Sequence, residues 1–247
     1  MNNKVIKVLM FILMIVCLKF NNVYSFGMDY INFQNLTIDD GLSQSLVEYI
    51  YQDSLGYMWI GTDDGLNRFN GIDFKIYKNS KSDRNTISDD GITSIIEDSS
   101  KNLWIGTDNG LNKMDLLTGD IHRYLISEAD RQNSNSTIEE LMIDSKGRLI
   151  ACTISSLNIY DSENDTFEQV TSNLFKDKVL QDFVEGNNGD IWIATNSGLY
   201  KYSNEENNIQ QFNELEDVIG DIDIFSLHYE NNNLWLGTKT EGLIIIN

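Results

Sequence analysis

Proline is missing from all 247 residues, and cysteine and histidine occur only twice each. Without proline no residue lacks the backbone N–H that a strand ladder needs, so sheet formation meets no local obstacle. The two cysteines are Cys17 and Cys152. Because Cys17 falls in a segment expected to be removed, no intrachain disulfide can form and no thiol cluster can hold a metal. His122 and His228 have no histidine or cysteine nearby at metal-ligand spacing. They are expected as core or surface side chains rather than as ligands or catalytic bases. Positive charge is scarce as well: 18 Lys and Arg face 38 Asp and Glu, for a net charge of −20. A surface of that sign repels nucleic acid and anionic headgroups, which removes nucleic-acid partners and peripheral membrane binding from consideration.

Long apolar runs are lacking too. Val8 to Leu18, preceded by Lys4 and Lys7, is too short to cross a bilayer, for which about 20 residues are needed. A basic start, a short apolar stretch and a small residue at Ser25 form the layout of a secretory signal. Residues 1–25 are therefore expected to be a leader, with an uncleaved anchor as the alternative. Membrane contact is expected only through that segment or through a C-terminal helix beyond Asn247. The leader holds three lysines and no acid, so its removal makes the exported chain three charges more negative.

What the chain has in quantity is a repeat. Trp59-Ile60-Gly61-Thr62 recurs as Trp104-Ile105-Gly106-Thr107, Trp192-Ile193-Ala194-Thr195 and Trp235-Leu236-Gly237-Thr238, with a degenerate copy at Ile150-Ala151-Cys152-Thr153. The spacings of 45, 46, 42 and 43 residues are those of propeller blades rather than of helical solenoids. Each unit opens with a strand-like run such as Leu46 to Gln52 or Ile92 to Glu97. A turn follows, Asp53-Ser54-Leu55-Gly56 or Asp144-Ser145-Lys146-Gly147, whose leading Asp is suited to accept turn N–H groups. The tryptophan strand then ends at Asp64-Gly65 or Asn109-Gly110, pairs that favour tight hairpins. Two further strands complete a four-stranded antiparallel unit.

These units predict an all-β fold, a β-propeller of four-stranded antiparallel blades at about 45–78, 91–125, 137–170 and 179–212, with a partial fifth at 223–247. All of 26–247 forms one domain. Trp59, Trp104, Ile150, Trp192 and Trp235 are expected as its repeated core, because a Trp offers roughly 150–250 Å² for burial and one sheet alone cannot cover it. Ile31 to Leu36 resembles a fourth strand, which could close a five-bladed ring by pairing with the last unit. The alternative is a fragment of a larger ring.

Asp40-Gly41-Leu42-Ser43-Gln44, Asp53-Ser54-Leu55-Gly56, Trp59-Ile60-Gly61-Thr62 and Asp64-Gly65-Leu66-Asn67-Arg68-Phe69-Asn70-Gly71 together resemble the two-component regulator propeller repeat. The resemblance implies a seven-bladed sensor domain outside the bacterial cytoplasmic membrane, in the periplasm or at the cell surface. In whole proteins of that kind a membrane helix and a histidine kinase or diguanylate cyclase follow. It makes this chain an N-terminal input part and a fragment of its ring, and it leaves room for a dimer of the whole protein.

Catalytic apparatus is not apparent. No glycine-rich ATP lid, phosphate loop or serine nucleophile elbow occurs, and no motif calls for a cofactor. Cys152 occupies the place of Gly106 and is expected to be a buried thiol. Asp63-Asp64 and Asp89-Asp90 each precede a turn glycine, and neither has the spaced ligands of a calcium loop. Ligand contact is expected on the loop face: Asp63, Asp64, Asp108, Asn109, Asn196 and Ser197, with the long connections Asn79 to Asp90 and Ser127 to Ser136 and a lone aromatic, Phe175. The expected ligand is a small polar solute such as a carbohydrate. A secreted protein-interaction scaffold is the alternative function, and a propeller lyase or glycosidase ranks third.

Overall fold

A computed structural model describes residues 33–124, 136–170, 175, 178–212 and 222–247. The expected leader, most of the Ser127–Ser136 connection, and Ile31 and Asn32 lie outside the described residues. Within the unit from Leu36 to Asn247 the described residues are all-β apart from short 3₁₀ turns at Ile38–Asp40 and Asn187–Gly189 and the 3₁₀ residue Phe175. The first blade is β1 (Tyr49–Gln52), β2 (Met58–Thr62), β3 (Gly65–Phe69) and β4 (Phe74–Tyr77). The second is β5 (Ile92–Glu97), β6 (Asn102–Thr107), β7 (Gly110–Asp115) and β8 (Ile121–Tyr124). The third runs from β9 (Ile138–Ile143) through β10 (Leu149–Thr153) and β11 (Leu157–Asp161) to β12 (Thr166–Val170). The fourth has β13 (Leu180–Glu185), β14 (Ile191–Thr195), β15 (Gly198–Ser203) and β16 (Asn208–Gln211). The last holds β17 (Ile224–Glu230), β18 (Asn233–Thr238) and β19 (Leu243–Ile246). Neighbours in sequence pair antiparallel in every sheet, four strands in each of the first four and three in the fifth. Residues 33–36 form no strand.

The turn aspartates do more than form turns. Asp53 Oδ1 accepts the N–H groups of Leu55 and Tyr57, both at 2.9 Å, while Oδ2 accepts the Trp59 indole N–H at 2.7 Å. Asp98 repeats this with Ser100, Asn102 and the Trp104 indole at 2.8 Å. A buried indole N–H thus finds a charged acceptor, and the carboxylate is held by three donors. In the third blade Ile150 replaces the indole, and Arg148 Nε takes the vacated Asp144 Oδ2 at 2.7 Å. The fourth turn residue has positive φ in all three, Gly56 at 92°, Lys101 at 68° and Gly147 at 79°; glycine suits that backbone.

Successive sheets stack through the tryptophan position. Trp59 packs with Ile92, Ile95, Leu103 and Ile105 of the second blade, and Trp104 with Ile138, Leu141, Leu149 and Ala151 of the third. Ile150 meets Phe183, Ile191 and Ile193 of the fourth. Trp59, Trp104 and Ile150 are fully buried. Trp192 and Trp235 are only half-buried. Trp192 does pack on the fifth sheet with Leu234 and Leu236, but it borders a cavity of about 840 Å³ beside Phe212, Tyr229 and Ile246. That cavity lies where the fifth sheet has three strands rather than four. Trp235 has no further sheet to cover it among the described residues. Across the hairpin, the residue paired with three of the four indoles is a cation, Arg68 with Trp59, Lys113 with Trp104 and Lys201 with Trp192, whereas Trp235 faces Ile245. Each lies over its ring, at 5.9, 5.1 and 5.4 Å, a cation–π contact that also shields the ring edge.

Polar latches join the turn ends of neighbouring blades. The Ser54 backbone and hydroxyl both donate to Glu97 on the next blade, and Ser145 does the same to Glu185. Burial pushes the Glu97 carboxyl up, but the Ser54 donors and the Lys101 ammonium outweigh it and leave its pKa below the ordinary value. Between the second and third blades the aligned residue is Ile143. There Tyr124 and Tyr160 hydroxyls both donate to Asp165, and Lys113 donates to the Tyr160 oxygen at 3.1 Å.

This packing sets an order among the tryptophans. Trp104→Ala should cost about 3–5 kcal/mol, whereas Trp235→Ala should cost about 2 kcal/mol, because roughly half of its transfer energy is realised. Urea unfolding of the two variants decides; equal losses would contradict the stacking direction.

Candidate ligand-binding face

The β2–β3, β6–β7 and β14–β15 hairpins share an end of the blades with the segments that enter each sheet. Gly65, Gly110 and Gly198 donate to the carbonyls of Asp90, Ser136 and Ile222, at 2.8–2.9 Å, tying each hairpin to the next blade's entry. Asp108, Asn196 and Lys239 donate in turn to Gly91, Val179 and Asp223, each within its own blade. Beneath this surface lie repeated buried triads. The Ser43 N–H donates to Asn67 Oδ1 at 2.9 Å, Asn67 Nδ2 to Ser43 Oγ at 2.8 Å, and Ser43 Oγ meets Thr62 Oγ1 at 2.9 Å. Ser88, Asn112 and Thr107 repeat the set at 2.9, 3.0 and 2.9 Å. Fully paired buried polar groups fix backbone position, so the hairpin tips stand on a rigid base.

The first strands of blades two to five each carry a bulge near this end. Thr93, Glu139, Gln181 and Phe225 are the extra residues, lying between Ile92/Ser94, Ile138/Glu140, Leu180/Asp182 and Ile224/Ser226 in the pairing. A bulge re-aims a side chain and often neighbours a site. Sequence reading missed this feature. Its only trace is that position's change of type while its flanks stay regular, since the register is visible only against the paired strand.

The six expected site residues divide. Asp63, Asp108 and Asn109 are exposed. Asp64 is half-exposed and holds Lys78 at 2.6 Å. Asn196 Oδ1 accepts the Val179 N–H at 2.9 Å, and the Ser197 hydroxyl accepts Lys178 Nζ at 2.9 Å, so both bind their own entry segment. Asn109, next to Asp108 in the hairpin tip, also lines a cavity with Arg84 and Arg123. Phe175, expected near the loops, is instead core: it is 4 % exposed and packs edge-on against Tyr200 at 5.3 Å. It occupies the place of Ile87, also fully buried, so repeat alignment outranks the polar sequence around it.

Acids collect along the rim of blades one to three. Burial together with the charges of Asp89 and Asp63 pushes the Asp108 carboxyl up, and burial with Asp108 raises Glu139. Asp89 joins the set unannounced by the hairpin motif. Deeper, Glu140 and Asp182 lie within hydrogen-bonding reach across the third and fourth blades; burial, then the Asp182 charge, pushes Glu140 up to about 8. Asp182 accepts the Leu227 N–H at 2.6 Å and the Phe183 N–H at 2.7 Å. Burial pushes the Asp182 carboxyl up as well, but the Leu227 donor, Glu140 and the Phe183 donor oppose it, so the proton of the pair rests on Glu140. Cys152, facing Glu140 in the ladder, is buried, and burial plus those acids push its thiol up. A thiol so placed is a poor nucleophile. His122 sits on the outermost strand of its blade and His228 on the first strand of the last, its side chain 70 % exposed. Among the described residues, no three His, Cys, Asp or Glu converge as a metal site.

Sheet order, blade stacking and the hairpin face define a β-propeller domain. Residues 41–64 and 86–109 match the family "Two component regulator propeller", the family that the motifs of these two segments resemble. Each matched segment runs from the entry segment through two strands to the hairpin tip, the part of a blade that builds this face. A curated relative, histidine kinase P4 of Formosa agariphila, is 54 % identical over 56 residues, 23 % of this chain and 4 % of the kinase. Among solved structures, the extracellular domain of BT3049 of B. thetaiotaomicron, designated a hybrid two component system, aligns with TM-score 0.55 and 19 % identity. It covers 87 % of this chain and 35 % of that one. Virginiamycin B lyase of Staphylococcus aureus aligns with TM-score 0.56 at 12 % identity, over 81 % of this chain and 69 % of the lyase. Both likenesses describe fold alone. The chain spans about a third of the BT3049 domain's length and a small fraction of the kinase's.

The buried carboxyl pair gives stability a definite pH dependence. Its folded pKa exceeds that of the unfolded chain, so the folded state binds more protons between the ordinary glutamate value of 4.5 and about 8. Stability contributed by the protonated pair is complete below that window and is lost as pH rises through it. Glu140→Gln keeps a donor for Asp182 and removes the titration. The variant's melting temperature should therefore fall less than the parent's between pH 5 and pH 8.5. Parallel pH profiles would refute the shared proton.

Proposed function

We propose that this chain is the input part of a bacterial two-component or related signalling protein, an extracytoplasmic and non-catalytic propeller that binds a small polar solute on its hairpin face. The observation that carries the reading is the coincidence of the matched repeats with that face: both segments end at the tips bearing Asp63, Asp64, Asp108 and Asn109. Support comes from the chemistry of the rim. Asp63, Asp89 and Asp108 make no ion pair among the described residues, and carboxylates held close together accept well from the hydroxyls of a carbohydrate. Rigid elements beneath them preserve the spacing, as recognition requires. Export by the leader fits the setting of the relatives, and output in the whole protein would pass to a cytoplasmic histidine kinase or cyclase. The net charge of −20 favours one second reading, a secreted scaffold for cationic proteins.

The test is calorimetry and thermal shift of the chain against a panel of neutral mono- and oligosaccharides, with product analysis after long incubation. Binding without turnover is expected, and Asp63→Asn with Asp108→Asn should weaken it by about tenfold without lowering the melting temperature. A ligand consumed rather than returned would point to lyase or glycosidase chemistry. Retention of cationic proteins alone, abolished by salt, would establish the scaffold.

A further inference from the structure

We propose that the concavity between β8 and the connection from β4 to β5 is a binding site for a small oxyanion, a carboxylate or sulfate carried by a polar solute. The cavity holds about 570 Å³, and among the described residues its lining includes Arg84, Asn85, Ser88, Asn109, His122 and Arg123 but no acidic residue. In a chain with more than twice as many acids as bases, a hollow free of carboxylates with two guanidinium groups in its wall stands out. The contrast with other cations is direct: Lys78, Lys101, Arg148, Lys201 and Lys239 each face a carboxylate.

Arg123 is immobilised without being neutralised. Its Nε donates to the Thr86 carbonyl at 2.6 Å, and Nη2 donates to the Ser80 and Asp83 carbonyls and the Thr86 hydroxyl. Every acceptor is uncharged, and none of these bonds uses Nη1. Arg84 is exposed and makes no hydrogen bond or ion pair among the described residues. Asn85 Oδ1 accepts the Ile121 N–H at 2.7 Å; this pins the connection to β8 and leaves the amide Nδ2 as a donor. Asp165, the acid beyond Tyr124, is already held by the Tyr124 and Tyr160 hydroxyls. The wall thus offers one fixed guanidinium, one adjustable guanidinium and an amide, a donor set that matches an oxyanion in both charge and fork geometry. The volume suits a sugar-sized solute. Asn109 and Ser88 adjoin the acidic rim, but neither guanidinium belongs to it, so the inference stands apart from the reading of that face.

The experiment compares galacturonate, galactose 6-sulfate and galactose by calorimetry on the chain, at about 50 and 200 mM salt. Both anionic sugars should bind, more weakly at the higher salt, and galactose should not bind in this cavity; the tighter of the two identifies carboxylate or sulfate. Arg123 also secures a loop, so Arg84→Glu carries the test: it should weaken anion binding by about tenfold or more at unchanged melting temperature, with Arg84→Lys intermediate. Absence of binding by both anions, equal binding of all three sugars, or anion binding untouched by Arg84→Glu would overturn the proposal. Neutral-sugar binding that survives Arg84→Glu leaves the rim reading intact.

Discussion

The structure depends on one interaction repeated with variations: a large side chain on the second strand of a blade pressed against the next sheet. No four-stranded sheet can bury such a group alone, so stability is shared between neighbours and falls off where a neighbour is missing. The aspartate six residues before Trp59 and Trp104 makes burial of the indole tolerable by accepting its N–H, and the cross-strand cation covers the open face. In the third blade these three residues change together. Ile150 needs no acceptor, Asp144 turns to Arg148, and the position opposite becomes Ile159.

The two ends of the blades are built for different purposes. At the turn end, backbone donors and serine hydroxyls are consumed by Asp and Glu carboxylates, either within a turn or between blades. At the hairpin end, neutral Ser, Thr and Asn side chains take over the structural bonding, which releases the carboxylates of Asp63, Asp89 and Asp108 from ion pairing. Division of labour of this kind lets loops vary while the scaffold keeps its dimensions.

Charge follows the same division. The acidic surplus is tolerated along the rim at the cost of raised carboxyl pKa values, and in the Glu140–Asp182 pair by retention of a proton. The few basic residues mostly pair with acids or lie over aromatic rings. Among the described residues Arg84 and Arg123 do neither, and the two line one cavity.

The period of the tryptophan motif, the turn chemistry and the alternation of apolar residues were sufficient by themselves to establish blades, strand count and order, because those depend on contacts local to each unit. Strand starts were less legible. A first strand expected from Leu46 begins at Tyr49, since Leu46 and Val47 are left exposed. The burial of Phe175 likewise emerges only from repeat alignment and packing. Of the site, the hairpin acids could be named from their Asp-Gly and Asn-Gly neighbours. Which of them stay unpaired, the recruitment of Asp89, the bulges at Thr93 and Glu139, the proton between Glu140 and Asp182, and the meeting of Arg84 with Arg123 were decided only by tertiary structure. Each of those depends on residues far apart in the chain or on the register of an adjoining strand, and electrostatic energy follows distance in space rather than in sequence.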